Sequence, residues 1–319
     1  MQQKPKLKAF TNYARFVLLF NVLVILWGVF LRASKSGDGC GEHWLTCHGE
    51  VIPSAPEFKT VIEFTHRVST AIDGILMLIL IVWAIWIWLK LRDLQSRQVL
   101  LASLGSFFFV LTEAAVGAGL VLTGNTAEAV TITRPFWSIG HLINTFILLT
   151  FLTLTVWFAA APRSFNFKNA GRPILFLTIA TSALIVVGSS GSLAALSNML
   201  FPSQSLAEGI AKDLSATSNI MLRLRVSHPI VSILTAVYLI FLSGWMKRTS
   251  EIDPKVTLWS NAVSILVLLQ IVFGAATLLT LGPIVMQLGH LLLADAIWIA
   301  FVMLCANYFA RPNVATDHP

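Results

Sequence analysis

Eight apolar stretches, each long enough to cross a bilayer, constrain this chain more than any other feature. They run over Phe16–Ala33, Val68–Leu89, Val99–Thr123, Phe136–Ala161, Pro173–Ala195, Val226–Met246, Leu258–Leu281 and Ile284–Phe309. A hydrocarbon core of about 30 Å needs roughly 20 residues of helix at 1.5 Å each. Helices satisfy every backbone donor and acceptor inside such a run, which an open strand in lipid does not. The expected fold class is an all-α integral membrane protein with eight transmembrane helices. Charged residues make up 12% of the chain, about half the share usual in a soluble domain. The first stretch follows Lys4, Lys6 and Lys8, as a signal peptide would. Arg32 and Lys35 interrupt the region where a small-residue cleavage site belongs, so the stretch is read as a helix.

Orientation follows from the cations. With the N-terminus inside, the inner segments hold Lys4, Lys6, Lys8, Arg15, Lys90, Arg92, Arg97, Arg163, Lys168, Arg172, Lys247, Arg248, Lys255 and Arg311, against Arg32, Lys35, Lys59, Arg67, Arg134, Lys212, Arg223 and Arg225 outside. This bias of 14 to 8 puts both termini in the cytoplasm of a protein of the cell (inner, cytoplasmic) membrane. The net charge of +7 is suited to anionic lipid on that side and calls for no nucleic acid.

The chain repeats itself. Gly140-His141-Leu142 recurs as Gly289-His290-Leu291, the Leu111–Ala118 run resembles Leu268–Ala275, and His66 has its counterpart in His228. The similar offsets divide the chain into two tandem four-helix bundles, residues 1–165 and 166–319. The second and fourth helices of each half carry a histidine near the outer end. An ionisable ring is costly in a bilayer and is rarely placed there without a function. Two facing imidazoles from helices are what a six-coordinate heme iron needs. Each histidine alone has a plainer reading, an interfacial side chain bonded to a carbonyl; four at equivalent repeat positions favour two bis-histidine heme sites, His66 with His141 and His228 with His290. Two histidines without a facing carboxylate or thiolate pair make a poor zinc set.

The loop after the first helix is the other informative region. Cys40 and Cys47 lie in an outer loop and are disulfide candidates; a zinc site from Cys40, His43, Cys47 and His48 is the alternative. Cys305, near the inner end of the last helix, cannot reach them. Glu63 precedes His66 by three residues and shares its helix face; its plain role is an N-terminal helix charge. Arg67, Arg223 and Arg225 lie beside the histidines and are candidate propionate partners, with lipid or water contact as the alternative. Glu113, whose repeat mate is Gln270, and Asp295, five residues after His290, receive no role from sequence.

The run Ser36-Gly37-x-x-Cys40-x-x-x-Trp44-x-x-Cys47-x-Gly49-x-x-x-Pro53, followed by Glu63-x-x-His66-Arg67, resembles the heme A synthase family. The likeness extends along the chain, with histidines on helices two, four, six and eight. The resemblance implies oxidation of the C8 methyl of heme O to a formyl group, giving heme A for terminal oxidases. It implies His66 and His141 as ligands of the substrate heme, His228 and His290 as ligands of a permanent heme B, Glu63 as the catalytic acid, and Cys40 and Cys47 as the family's outer-loop pair. It implies as partners heme O, a heme O synthase, a membrane electron acceptor and the lipid bilayer; a homo-oligomer stays open. Two departures stand out. Some members carry a second cysteine pair in the matching loop of the second half, and the segment from Ser197 to Arg225 has none. Relatives often have Gln where this chain has Glu113. The rival reading is a diheme b-type electron-transfer cytochrome, such as a quinol oxidoreductase subunit, which needs neither Glu63 nor the cysteine loop. A transporter is suggested only by the repeat.

Overall fold

The computed structural model describes residues 5–44, 46–167, 170–250 and 253–312. Lys4 and Lys168, counted above among the inner cations, lie outside the described residues. Eight helical spans dominate the rest: α1 (Pro5–Ala33), α2 (Phe58–Leu91), α3 (Leu94–Leu122), α4 (Arg134–Ala160), α5 (Gly171–Leu200), the pair α7 (Ile220–Arg225) and α8 (Ser227–Thr249), α9 (Pro254–Leu279) and α10 (Ile284–Tyr308). All eight are long and apolar enough to cross a membrane, and the protein is an all-α multi-pass membrane protein. Short α6 (Leu206–Leu214) lies in the α5–α7 connection, and a two-stranded antiparallel ladder joins β1 (Arg163–Phe165) to β2 (Ala310–Pro312). That ladder is the one addition to the all-helical expectation. It gives the backbone groups of the α4–α5 link a partner beyond the end of α10.

The helices outrun the apolar stretches at one end in particular. α2 begins at Phe58, ten residues before Val68, because its first turns are polar enough to escape a hydropathy reading yet are packed under the cysteine loop. The sixth span breaks at Val226 between α7 and α8. Pro229 sits in the first turn of α8, where its missing N–H costs no helical bond. At the other end, α2 and α3 are joined by Arg92 and Asp93 alone. Arg92 takes the left-handed conformation, with φ of 50°, and Asp93 accepts from Ser96 N–H in a capping box.

In the first half α1 packs on α2, α2 on α3, α3 on α4 and α4 back on α1. In the second, α5 packs on α8, α8 on α9, α9 on α10 and α10 on α5. The two largest buried apolar clusters occupy one end of each ring. In the first they comprise residues such as Phe10, Val17, Leu80, Ile87, Val99, Leu152 and Trp157; in the second, Leu177, Leu242, Met246, Val256, Val263 and Phe301. None of these lies within the first turns of the helices that carry the histidines. Helix seams are reinforced by interhelical hydrogen bonds, as expected where lipid competes for apolar contact: Asn21 donates to Asp73 at 2.8 Å, and Ser260 to the carbonyl of Ser243 at 2.7 Å. The halves meet along α4 and α10. There Phe146 and Trp298 stack with ring centroids 4.4 Å apart, and Trp298 Nε1 donates to the Phe146 carbonyl at 2.7 Å.

Candidate functional site

All four predicted histidines come out at the end of the molecule that carries the cysteine loop, at matched depth. His66 is the ninth residue of α2, His141 the eighth of α4, His228 the ninth of the span that starts at Ile220, and His290 the seventh of α10. At 1.5 Å per residue each ring sits about two turns below its helix start. They stand above the packed clusters, where side chains are only partly buried.

In the second half the pair is brought together. The rings of His228 and His290 have centroids 6.3 Å apart. Two imidazoles sharing one metal ion through bonds of about 2.0 Å place their centroids roughly 6 Å apart, so the spacing suits a common ion. Ser190 Oγ lies 3.1 Å from His228 Nδ1, which leaves Nε2 available for a ligand. Gln270 Nε2 lies 3.3 Å from His290 Nε2, while His290 Nδ1 has no partner among the described residues. In the first half His66 and His141 are within electrostatic range of each other. Nδ1 of His66 has no hydrogen-bond partner among the described residues. Nδ1 of His141 lies 3.0 Å from Glu113 Oε1, with its ring N–H turned too far off the carboxylate for a formed hydrogen bond.

Sequence reading missed what these rings rest on. Three of them lie in notches left by glycines of a preceding helix. A methyl group at Gly28 on α1 would come within 3.0 Å of His66 Cε1; at Gly191 on α5, within 2.9 Å of His228 Cε1; at Gly274 on α9, within 2.9 Å of His290 Cε1. Gly117, the repeat mate of Gly274, has open space instead. The signal was present in sequence as glycines at similar repeat offsets (28 with 191, 117 with 274), but helical glycines in membrane spans are common enough to carry no message alone. The rings of His66 and His290 combine a glycine notch with an Nδ1 that lacks a hydrogen-bond partner among the described residues; His228 with His290, and His66 with His141, are the residues that could hold a planar group such as heme. Among the described residues no cluster of three or more His, Cys, Asp or Glu side chains suits a bare metal ion.

Over the first-half histidines lies a lid of loop. Cys40 and Cys47 are disulfide-bonded, with Cα atoms 4.3 Å apart, and both are buried. This removes the zinc alternative: the sulfurs are bonded to each other, and His48 Nε2 contacts the Gly39 carbonyl at 2.8 Å. Gly39 packs so close to the start of α2 that a methyl there would lie 2.4 Å from the Lys59 backbone. Glu63, 3% exposed, anchors the loop from below. It accepts from the Cys40 N–H at 2.9 Å and from Arg67 Nε and Nη2 at 3.1 and 2.5 Å. Arg67 Nη1 donates to the carbonyls of His43, Trp44 and Thr46 at 2.5 to 3.0 Å.

The arginines offered as propionate partners are thus largely occupied. Arg67 is committed to Glu63 and the loop. Arg225 pairs with Asp213 at 2.6 Å and reaches the Gly209 carbonyl at 3.3 Å; Arg223 is exposed. Arg134 holds the α3–α4 loop through the carbonyls of Ala127 and Ala129, both at 2.6 Å. The side chain of Arg32, which the sequence offered as an outer cation and an interruption of any cleavage site, has no hydrogen-bond or ion-pair partner among the described residues. It lies within electrostatic range of both Arg134 and His141, an uncompensated positive charge beside the first-half histidines. Outside the spans, Lys35 donates to Glu128 at 2.5 Å and holds that carboxyl below its usual range.

Comparison with known proteins agrees with this architecture. The family model described as cytochrome oxidase assembly protein (COX15-CtaA) matches residues 11–302. A Thermus thermophilus protein named protoheme IX farnesyltransferase is 37% identical over 307 residues, covering 96% of this chain and 50% of that protein. The heme A synthases of Halalkalibacterium halodurans and of an Exiguobacterium species are 33% identical over 131 residues and 36% over 115, covering 41% and 36% of this chain and 42% and 36% of their own lengths. The chain spans about half the length of the first of these relatives, and less of the others. A match over nearly the whole chain, onto eight spans and a disulfide loop, places it in the COX15-CtaA family of cytochrome oxidase assembly proteins, together with the heme A synthases.

Proposed function

We propose that this protein is a heme A synthase, oxidising the C8 methyl of heme O through the hydroxymethyl stage to the formyl group of heme A. The observation that carries the reading is the asymmetry between two matched histidine pairs. Both stand at one depth above a packed core, but only the first lies beneath a disulfide loop pinned by a buried carboxylate. His66 and His141 hold the substrate heme in residues 1–165; His228 and His290 hold heme B in residues 166–319. Heme supplies the one-electron chemistry. The chain orients it in the glycine notches, and Arg32 offers a cation to a propionate.

Glu63 lies one helical turn from His66 on the same face. Its pairing with Arg67 makes it a weaker stabiliser of developing positive charge than a lone carboxylate, and ties the loop to the substrate ligand. Its acid–base role is proton transfer at the substrate edge. Water supplies the oxygen atom added at the methyl carbon, the protons are released, and the electrons leave to a membrane acceptor. Heme O comes from a prenyl-transfer enzyme, and we assign the activity named for the Thermus relatives to the part of those proteins outside the matched half. The loop end faces the outside of the cell membrane and both termini the cytoplasm, following the cation bias.

The test is production of the full chain with a heme O synthase and analysis of extracted heme. Heme A and heme B are expected from the wild type. His228→Ala or His290→Ala should remove most heme B; His66→Ala or His141→Ala should spare heme B and abolish heme A. Glu63→Gln should keep heme B and cut heme A by about a hundredfold. Near-normal heme A from the Glu63 variant would leave that residue a loop anchor only. A wild type carrying heme B alone would favour the electron-transfer cytochrome.

A further inference from the structure

Three carboxyl groups stand outside the proposed reaction: buried Asp295, whose carboxyl oxygens have no partner among the described residues; buried Asp73, bonded to Asn21; and half-buried Glu113, against His141. Only the third touches a candidate ligand. Glu113 Oε1 lies 3.0 Å from His141 Nδ1. The carboxylate is itself held in place: Asn144 Nδ2 donates to Oε2 and Thr145 Oγ1 to Oε1. Asn144 is fixed in turn, donating to the Phe109 carbonyl at 2.9 Å and accepting from Thr112 Oγ1 at 2.7 Å. A carboxylate braced from α3 and α4 against a histidine nitrogen is built to hold that ring. The equivalent position in the second half is neutral. There Gln270 meets His290, and that ring is fixed by packing on Gly274, whereas Gly117 leaves the space beside it open.

We infer that Glu113 is a positioning residue for the substrate heme: it keeps the proton of His141 on Nδ1, presents Nε2 to the iron, and makes that ligand more electron-donating than either ligand in the second half. The inference rests on the reading of His141 as a ligand. Carboxylate–histidine pairs of this kind orient metal ligands and raise their basicity, and hydrogen bonding to an axial ligand is one of the protein's levers on heme potential. A rotation of the ring would straighten the contact, as hydrogen bonds at unliganded sites commonly do. Extra donation favours ferric iron. The first-half heme is therefore held at a lower potential than it would have with the glutamine of the repeat mate, while the second-half heme is untouched.

The experiment is a redox titration of the full-length protein carrying hemes at both sites, followed by optical and resonance Raman spectra. Glu113→Gln preserves shape and a hydrogen bond but removes the charge. The first-half heme should rise in potential by the equivalent of about tenfold in ferric preference, which is ~59 mV for one electron, and its ferrous iron–histidine stretch should weaken. The second-half heme should not move. Glu113→Asp, which keeps a retracted charge, should shift in the same sense by less. An unchanged first-half potential in Glu113→Gln, or a fall in Glu113→Asp if the Gln variant does not accumulate, overturns the inference. His141→Ala separates the two levels. If it still shows both low-spin hemes, the ligand assignment has failed; if it loses the first-half heme while Glu113→Gln shifts nothing, only the role of Glu113 has.

Discussion

At the scale of single residues, the site is made by what is missing as much as by what is present. A histidine inside a span is legible in sequence because its ring is costly there; the glycine that lets the ring lie flat against the next helix is not. The energetic balance predicts a specific result. Gly→Ala in a helix interior gains up to about 1 kcal/mol in propensity. A Cβ at 2.9 Å from a ring carbon costs about 1–3 kcal/mol of overpacking if the ring stays. The ring should therefore turn instead. Gly191→Ala and Gly274→Ala should fold normally, with near-wild-type thermal midpoints in detergent, yet lose low-spin heme B. Gly117→Ala, where nothing lies within 4 Å, should keep it. Full heme B in Gly274→Ala would show that His290 ligates without its notch. Arg67 shows the opposite limit of sequence reading. Its neighbourhood to His66 suggested a propionate partner, but its donors are used on Glu63 and three carbonyls, because a loop with buried backbone acceptors has to satisfy them.

At the scale of elements, α2 and the loop before it form one unit. Glu63, Arg67 and Thr60 hold the loop from the helix, Thr60 Oγ1 donating to the Gly39 carbonyl at 2.7 Å, and the disulfide closes it. The bridge spans only seven residues of sequence, so its stabilisation of the whole chain is modest, about 2–3 kcal/mol on the chain-entropy scale; its local effect on the loop is larger. Thiol reagents applied to the intact protein should therefore leave Cys40 and Cys47 unlabelled until a reductant is added. Labelling of both without reductant would contradict the bridge. Cys40→Ser should weaken first-half heme retention while leaving the heme at His228 and His290 in place, measured by the pyridine hemochrome of purified protein. Equal loss from both sites would mean that the loop supports the fold rather than the site. Sequence offered the Cys40–Cys47 pair that forms but began the second span at Val68, since the first turns of α2 are too polar to register as membrane.

At the scale of the whole molecule, the two groups of helices meet where α4 packs on α10 and α5 and where α1 packs on α10, and the α4–α10 contact differs in chemistry from those inside each group. Trp298 and Phe146 are the repeat's departure there: Phe146 lies five residues after His141, where the second half has Asp295. Trp298 contributes a stacked face and a hydrogen bond. Trp298→Ala should lower stability by about 3–5 kcal/mol, and fragments produced by cleavage in the α4–α5 connection should then separate in detergent. Trp298→Phe keeps the stack and should lose only about 1 kcal/mol. Fragments of Trp298→Ala that stay together on size exclusion would place the strength of the seam elsewhere along α4 and α10.

By itself the sequence determined the eight spans, the four histidines inside them and the cysteine pair of the loop, because each follows from a local rule: the length of an apolar run, the cost of a ring in lipid, the spacing of a motif. What only tertiary structure decided is which polar groups use up one another. Glu63 is committed to Arg67 and Cys40, Arg225 to Asp213, and Arg134 to a loop, while Arg32 is left unpaired and Glu113 is set against His141. Glu63 and Arg67 share α2, one turn apart; the other pairings join residues on different helices or across loops. They depend on helix rotation and depth to within an ångström or two, the range over which a hydrogen bond forms or fails, and no periodicity along the chain carries that information.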